Sequence, residues 1–147
     1  MAHRLIGQEQ LSFDVGSRAS SSLDEIDGLL DWKPVAVLLD PLYRAAKGEA
    51  AWPPLAMFKA LLLSVWYDLS DVKLAEALDD RASFRRFCGF SRNEATPERT
   101  TFVRYRGKLV EHGLDRRLFE AVTAQLKAKA VQVKAGTLVD ATVIASA

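Results

Sequence analysis

Residues 70–108 read SDVKLAEALDDRASFRRFCGFSRNEATPERTTFVRYRGK, and the reading of this stretch decides the fold. Ser70 precedes Asp71 where a long apolar run has to stop. A serine hydroxyl caps a helix well and a first-turn acid suits the helix dipole, so a helix is expected from about Asp71. Leu74 and Leu78 lie four apart, and Phe84, Phe87 and Cys88 repeat at three and four, so each set can cover one helical face. Gly89 supplies a stop. Residues 91–97 are polar, and Pro97 biases Thr96 away from helix, which predicts a turn ending near Thr100 as the next cap. The pattern is helix, turn, helix.

Charge on this unit is lopsided. From Arg81 to Lys108 the bases are Arg81, Arg85, Arg86, Arg92, Arg99, Arg104, Arg106 and Lys108, against only Glu94 and Glu98, while the whole chain carries a net charge of +1. A local arginine surplus in a neutral protein suits phosphate, because guanidinium pairs with phosphate oxygens bidentately and neutralising them releases counterions. A solvated charged face is the plain alternative; the helix-turn-helix context favours DNA. Arg85, Arg86, Arg92, Arg99, Arg104 and Lys108 are the candidate DNA-binding residues. Arg106 stands apart. Phe102, Tyr105 and Leu109 define an apolar face, and at about 100° per residue Arg106 falls inside that arc while Arg104 and Lys108 point away. Arg106 is therefore expected to be structural, paired with Asp71 or Asp79 on the preceding helix.

The length of 147 residues suits one domain with the edge of another, and a charged content of 27% against 49% hydrophobic is globular rather than disordered. The single cysteine, Cys88, excludes an internal disulfide and reads as a small core residue. His3 and His112 have no ligand cluster around them, so no zinc pattern is present. The polar N-terminus carries no secretory signal, which makes the cytoplasm the expected compartment.

Residues 1–20 show no sustained period and are expected to form an arm, free to move in solution. Ser22-Leu23-Asp24-Glu25 spells a capping box, and a short helix should follow to Leu30. Pro34 opens another helical stretch, in which Pro41 predicts a kink or a break after Leu39 or Asp40. Trp52-Pro53-Pro54 then leads into a run apolar nearly all round to Trp66, broken by Lys59 and Ser64. It is too short for a membrane span and carries a lysine, so it reads as the central core helix. Beyond Gly113, Leu118, Phe119, Val122 and Leu126 form one stripe of an amphipathic helix over residues 114–130. Residues 136–144, GTLVDATVI, are rich in β-branched side chains and switch the pattern to strand. Asp140 sits in its middle, where an acid must be paired, solvated or holding a metal.

The string WPPLAMFKALLLSVWYDLSDVKLAEALDDRASFRRFCGF, followed by TPERTTFVRYRGKL and GTLVDATVI, resembles the N-terminal part of bacterial DDE transposases of the insertion-sequence-five family. The likeness runs from about Leu23 to the end, with motifs in order. One departure is Glu98, where the family usually carries Asp. The resemblance implies a mainly α fold: a helical bundle over residues 21–130 with a helix-turn-helix-like unit, then residues 131–147 as the first β-strand of an incomplete RNase H-like domain. It implies binding of double-stranded DNA at the element's terminal inverted repeats, on a bacterial nucleoid. Asp140 corresponds to the first catalytic and metal-binding aspartate of a triad.

Such chemistry uses two Mg²⁺ ions held by several carboxylates, and one acid cannot hold both. The chain ends at Ala147, just past Asp140, so no catalysis and no bound cofactor are expected of it alone. Two further readings stay open. The chain could be the first half of a split enzyme completed by a second transposase polypeptide, or an oligomerisation or regulatory fragment pairing with itself or with a full-length transposase.

Overall fold

The computed structural model describes residues 3–7, 22–45 and 52–141, leaving aside the side chains of residues 45 and 131–141. Its helices are α1 (Ser22–Leu29), α2 (Lys33–Ala45), α3 (Pro54–Trp66), α4 (Asp71–Asp80), α5 (Ala82–Cys88), α6 (Arg99–Glu111) and α7 (Asp115–Ala141). The fold is mainly α, with no strand elements among the described residues.

Helix α3 is the centre because its sequence offers water almost no polar face. Phe58, Leu61, Leu62 and Leu63 are all buried, and α2, α4, α5 and α6 pack around it. Removing each such side chain from water stabilises the fold by about 1.5–3 kcal/mol. Pro54 opens the helix at a position whose N–H would have had no helical partner. The buried Tyr105 hydroxyl donates to the Pro54 carbonyl at 2.8 Å, and burial pushes that phenol well above its ordinary pKa. The two polar interruptions of α3 are both satisfied. Ser64 Oγ donates to Leu61 O at 2.6 Å, and Lys59 Nζ reaches Asp27 Oδ1 at 3.0 Å while lying over the Trp32 ring.

Aromatic rings join the layers. Phe87 of α5 meets Trp32 and Trp66, and Phe119 of α7 meets Phe58. Gln125 of α7 clamps the α1–α2 connection, accepting from Asp31 N at 2.7 Å and donating to Asp31 O at 2.8 Å. Cys88 is buried as a core residue, and desolvation, opposed by the nearby Lys59 charge, pushes its thiol far up.

Three local features of the helices differ from the sequence expectations. Helix α2 continues through Pro41; the carbonyl that loses its donor belongs to Val37, which is exposed, so water can replace the lost bond. The helix expected from Asp71 onward is two helices, broken at Arg81, whose ψ of 118° is extended. On one straight helix the Leu74/Leu78 face and the Phe84/Phe87/Cys88 face would point about 105° apart, and the break lets both meet the core. Helix α6 starts at Arg99, with Glu98 at the N-cap, so Thr100 is inside the helix rather than its cap.

Residues 3–7, expected as part of an arm, lie against the body; residues 8–20 are outside the described residues. The Arg4 guanidinium stands over Trp52, and Gly7 N donates to Glu94 Oε1 at 2.8 Å. Gly7 has a φ of +68°, and a Cβ there would stand 2.8 Å from Gly89 O. Only glycine lets the two backbones approach so closely.

The strand expected over residues 136–144 is not among the described elements. The backbone is helical to Ala141, while residues 142–147 and the side chain of Asp140 lie outside the described residues. A strand there would need a partner strand, whereas a helix closes its own hydrogen bonds.

Candidate nucleic-acid interface

The arginine-rich unit is built from α4, α5, the turn over residues 89–98, and α6. Ser70 Oγ accepts from Lys73 N at 3.2 Å and so caps α4. Gly89 closes α5 with a φ of +95°, and Gly89 N and Phe90 N both donate to Arg85 O at 2.8 Å. These bonds reverse the chain into the turn.

The candidate cations then divide. Arg85 is buried, and its guanidinium serves the chain itself: it donates to Asp79 O, to Ser91 O at 2.6 Å and to Glu94 O at 3.0 Å. Those carbonyls belong to the end of α4 and to the turn, so Arg85 ties the two together. Glu94 completes the knot, its carboxylate accepting from Ser91 N and Gly7 N. Arg86 is half-buried and bridges to Asp24 of α1, with NH2 3.1 Å from Oδ2. Arg85 and Arg86 are counted by sequence among the phosphate-facing residues; in the structure the first spends its donors on backbone carbonyls and the second on a carboxylate. Of the six candidates, those that stay exposed are Arg92 on the turn and Arg99, Arg104 and Lys108 on α6.

Arg106 ion-pairs with Asp71 at the start of α4, and its NH2 lies 3.4 Å from Ser64 Oγ. This pair fastens the middle of α6 to α4 and α3. Arg99, Arg104 and Lys108 are exposed on α6, and no ion pair engages their side chains among the described residues. Arg92 is exposed on the turn. Tyr105, Phe102 and Leu109 bury the opposite side of the helix. The result is a helix held rigidly from behind, presenting cations to solvent, which is what binding to a polyanion requires.

Sequence reasoning passed over Val103 and Gly107. Val103 is 49% exposed on the outer side of α6, and nothing lies within 4 Å of where a Gly107 Cβ would stand. A helical wheel of residues 99–111 carries the signal for both.

Among the described residues no group of three or more His, Cys, Asp or Glu side chains is placed to hold a metal ion. The side chain of Asp140, read by sequence as catalytic and metal-binding, is outside the described residues. No helix among the described residues is long and apolar enough to cross a membrane.

Comparison with protein families matches residues 12–108, well over half of the chain, to the transposase domain family DUF772. The chain belongs to that family. The match takes in α1 to α5 and all of α6 up to Lys108, so the arginine-rich unit is part of the transposase domain, and a role in transposition follows. No solved structure matches the chain.

Proposed function

We propose that this transposase domain binds double-stranded DNA at the terminal inverted repeats of an insertion sequence, as the N-terminal part of a bacterial DDE transposase of the insertion-sequence-five family. The observation that carries this reading is the exposed trio Arg99, Arg104 and Lys108, which have no acidic partners among the described residues and stand on a helix whose other side is locked into the core. Cations with no acid beside them are available to phosphate, and each one that neutralises a phosphate releases counterions.

In this reading the helical part recognises DNA and the strand-transfer chemistry belongs to the RNase H-like part. Asp140 would supply one of its three carboxylates, with Mg²⁺ as the expected metal of the complete enzyme. The remaining acids would come from outside residues 1–147, in the same polypeptide or in a second one, and the work would take place on the nucleoid.

A fluorescence titration of the full chain on the element's terminal repeat and on random duplex, repeated at several salt concentrations, tests the proposal. Tighter binding to the repeat, with affinity falling steeply as salt rises, is expected. Equal affinity for both duplexes would reject specific recognition, and a flat salt dependence would reject phosphate contact.

A further inference from the structure

Helix α6 carries its cations in an arrangement more specific than a basic patch. At about 100° per residue, Thr100 and Gly107 form the crest of its outward face, and Val103 and Arg104 stand about 40° and about 60° to either side of Gly107. Arg99 lies about 80° to one side of the crest and Lys108 about 100° to the other, so these two cations face away from each other across the helix. The crest is neutral and low; both flanks are positive. The face holds one acid, Glu111, in the last residue of the helix and one turn beyond Gly107.

This cross-section matches one feature of duplex DNA. The major groove is about 12 Å wide, admits an α-helix, and has phosphates along both walls with base edges on its floor. The minor groove, about 6 Å wide, excludes a helix of about 10–12 Å diameter. Gly107 supports the same placement. A glycine inside a helix weakens it, and here no atom of the described chain occupies the space a side chain would fill. Its missing side chain serves nothing in the described fold and leaves room for something outside the chain to come close. Val103, exposed beside it, offers methyl groups to a thymine methyl, as does Thr100, and Arg104 has the fork that fits guanine O6 and N7.

We infer that α6 lies in the major groove, with Thr100, Val103 and Arg104 reading bases, Gly107 permitting close approach, and Arg99 and Lys108 gripping the two phosphate walls. The inference rests on the DNA-binding reading above and adds to it the groove and the reading residues.

The test uses the full chain and a pool of random-sequence duplexes, from which bound DNA is selected and sequenced. The wild type is expected to enrich one short sequence and to show dimethyl sulfate interference at guanine N7, which lies in the major groove. Gly107→Gln should bind the selected duplex about tenfold or more weakly, the scale of one good base pairing by a side chain. Its melting temperature should hold or rise because glutamine favours helix. Val103→Ala gives a second readout, relaxing selection at a thymine position.

Interference at adenine N3 instead would put the helix in the wrong groove and overturn the inference. So would a Gly107→Gln protein that binds the selected duplex like the wild type. A pool that enriches no sequence, with salt-dependent binding intact, overturns base reading by α6 while leaving DNA binding in place. A wild type that binds no duplex at low salt overturns both.

Discussion

The arginines of α5 and the cations of α6 come from one short run of sequence and have opposite fates. Arg85 and Arg86 are adjacent in a seven-residue helix that packs on α1 and α3, so both guanidiniums meet protein before they meet solvent. Arg104 and Lys108 sit four apart on a helix with one open side, and both reach water. Charge density along the chain is similar in the two helices; what differs is how many faces each must bury. An arginine count therefore locates a candidate interface only after the helix carrying it has been shown to have a free side.

The sharpest way to break this comparison is Arg85→Ala. Its removal leaves the carbonyls of Asp79, Ser91 and Glu94 without a buried donor, and unsatisfied buried groups cost about 1–3 kcal/mol each. Water will reach some of them, so a loss of about 3 kcal/mol in urea unfolding is expected. Cys88 supplies an independent readout. Burial holds its thiol neutral, so alkylation at mildly alkaline pH should wait for α5 to open and should accelerate in the variant. Arg85→Lys should recover only part of the stability, since an ammonium cannot span three carbonyls. A stable Arg85→Ala protein with weakened DNA binding would show that Arg85 faces the ligand after all.

Next in size is Arg104→Ala combined with Lys108→Ala. Folding stability should change by less than about 0.5 kcal/mol, because neither side chain is held by the fold. Duplex affinity at low salt should fall about tenfold or more, and the slope of log affinity against log salt should shrink by about 1, for the phosphate that Lys108 no longer neutralises. An unchanged slope would mean that the open side of α6 does not touch phosphate.

The contrast between α5 and α6 also marks what was legible in the sequence. The Asp71 helix start with Ser70 as its cap, the core role of residues 54–66 and the inward arc of α6 all follow from spacing and side-chain chemistry. The inward turn of Arg85 was within reach: on the α5 wheel it lies about 60° from Cys88, at the edge of the buried arc. Arg86 was not. It lies well away from that arc and is covered because Asp24 of α1, distant in sequence, packs across it. The break at Arg81 was hidden for a similar reason, since each half has a sound helical pattern and only their different core directions force them apart. Nor could residue types alone show that residues 3–7 return to Glu94 and Trp52, an approach that depends on the turn already being folded.

The smallest effect, and the closest control, lies within α6 itself. Arg104 and Arg106 are two residues apart but point about 160° apart on the wheel, one to solvent and one to Asp71. The Arg106 side chain is 41% exposed and that of Asp71 is 20% exposed, so water screens the pair and its loss should cost only about 1 kcal/mol. Arg106→Met keeps the apolar stem and removes the charge, and should lower urea stability by that amount. Per folded molecule, its duplex affinity should stay within about twofold of the wild type and its salt slope should not move, because a cation turned toward α4 neutralises no phosphate. Asp71→Asn should lower stability by a similar amount, since it removes the same attraction from the other end. The opposite pattern, with the Arg106→Met slope shrinking by about 1 and stability unchanged, would mean that Arg106 leaves Asp71 for a phosphate when DNA arrives. The division of α6 into a fastened side and a binding side would then have to be abandoned.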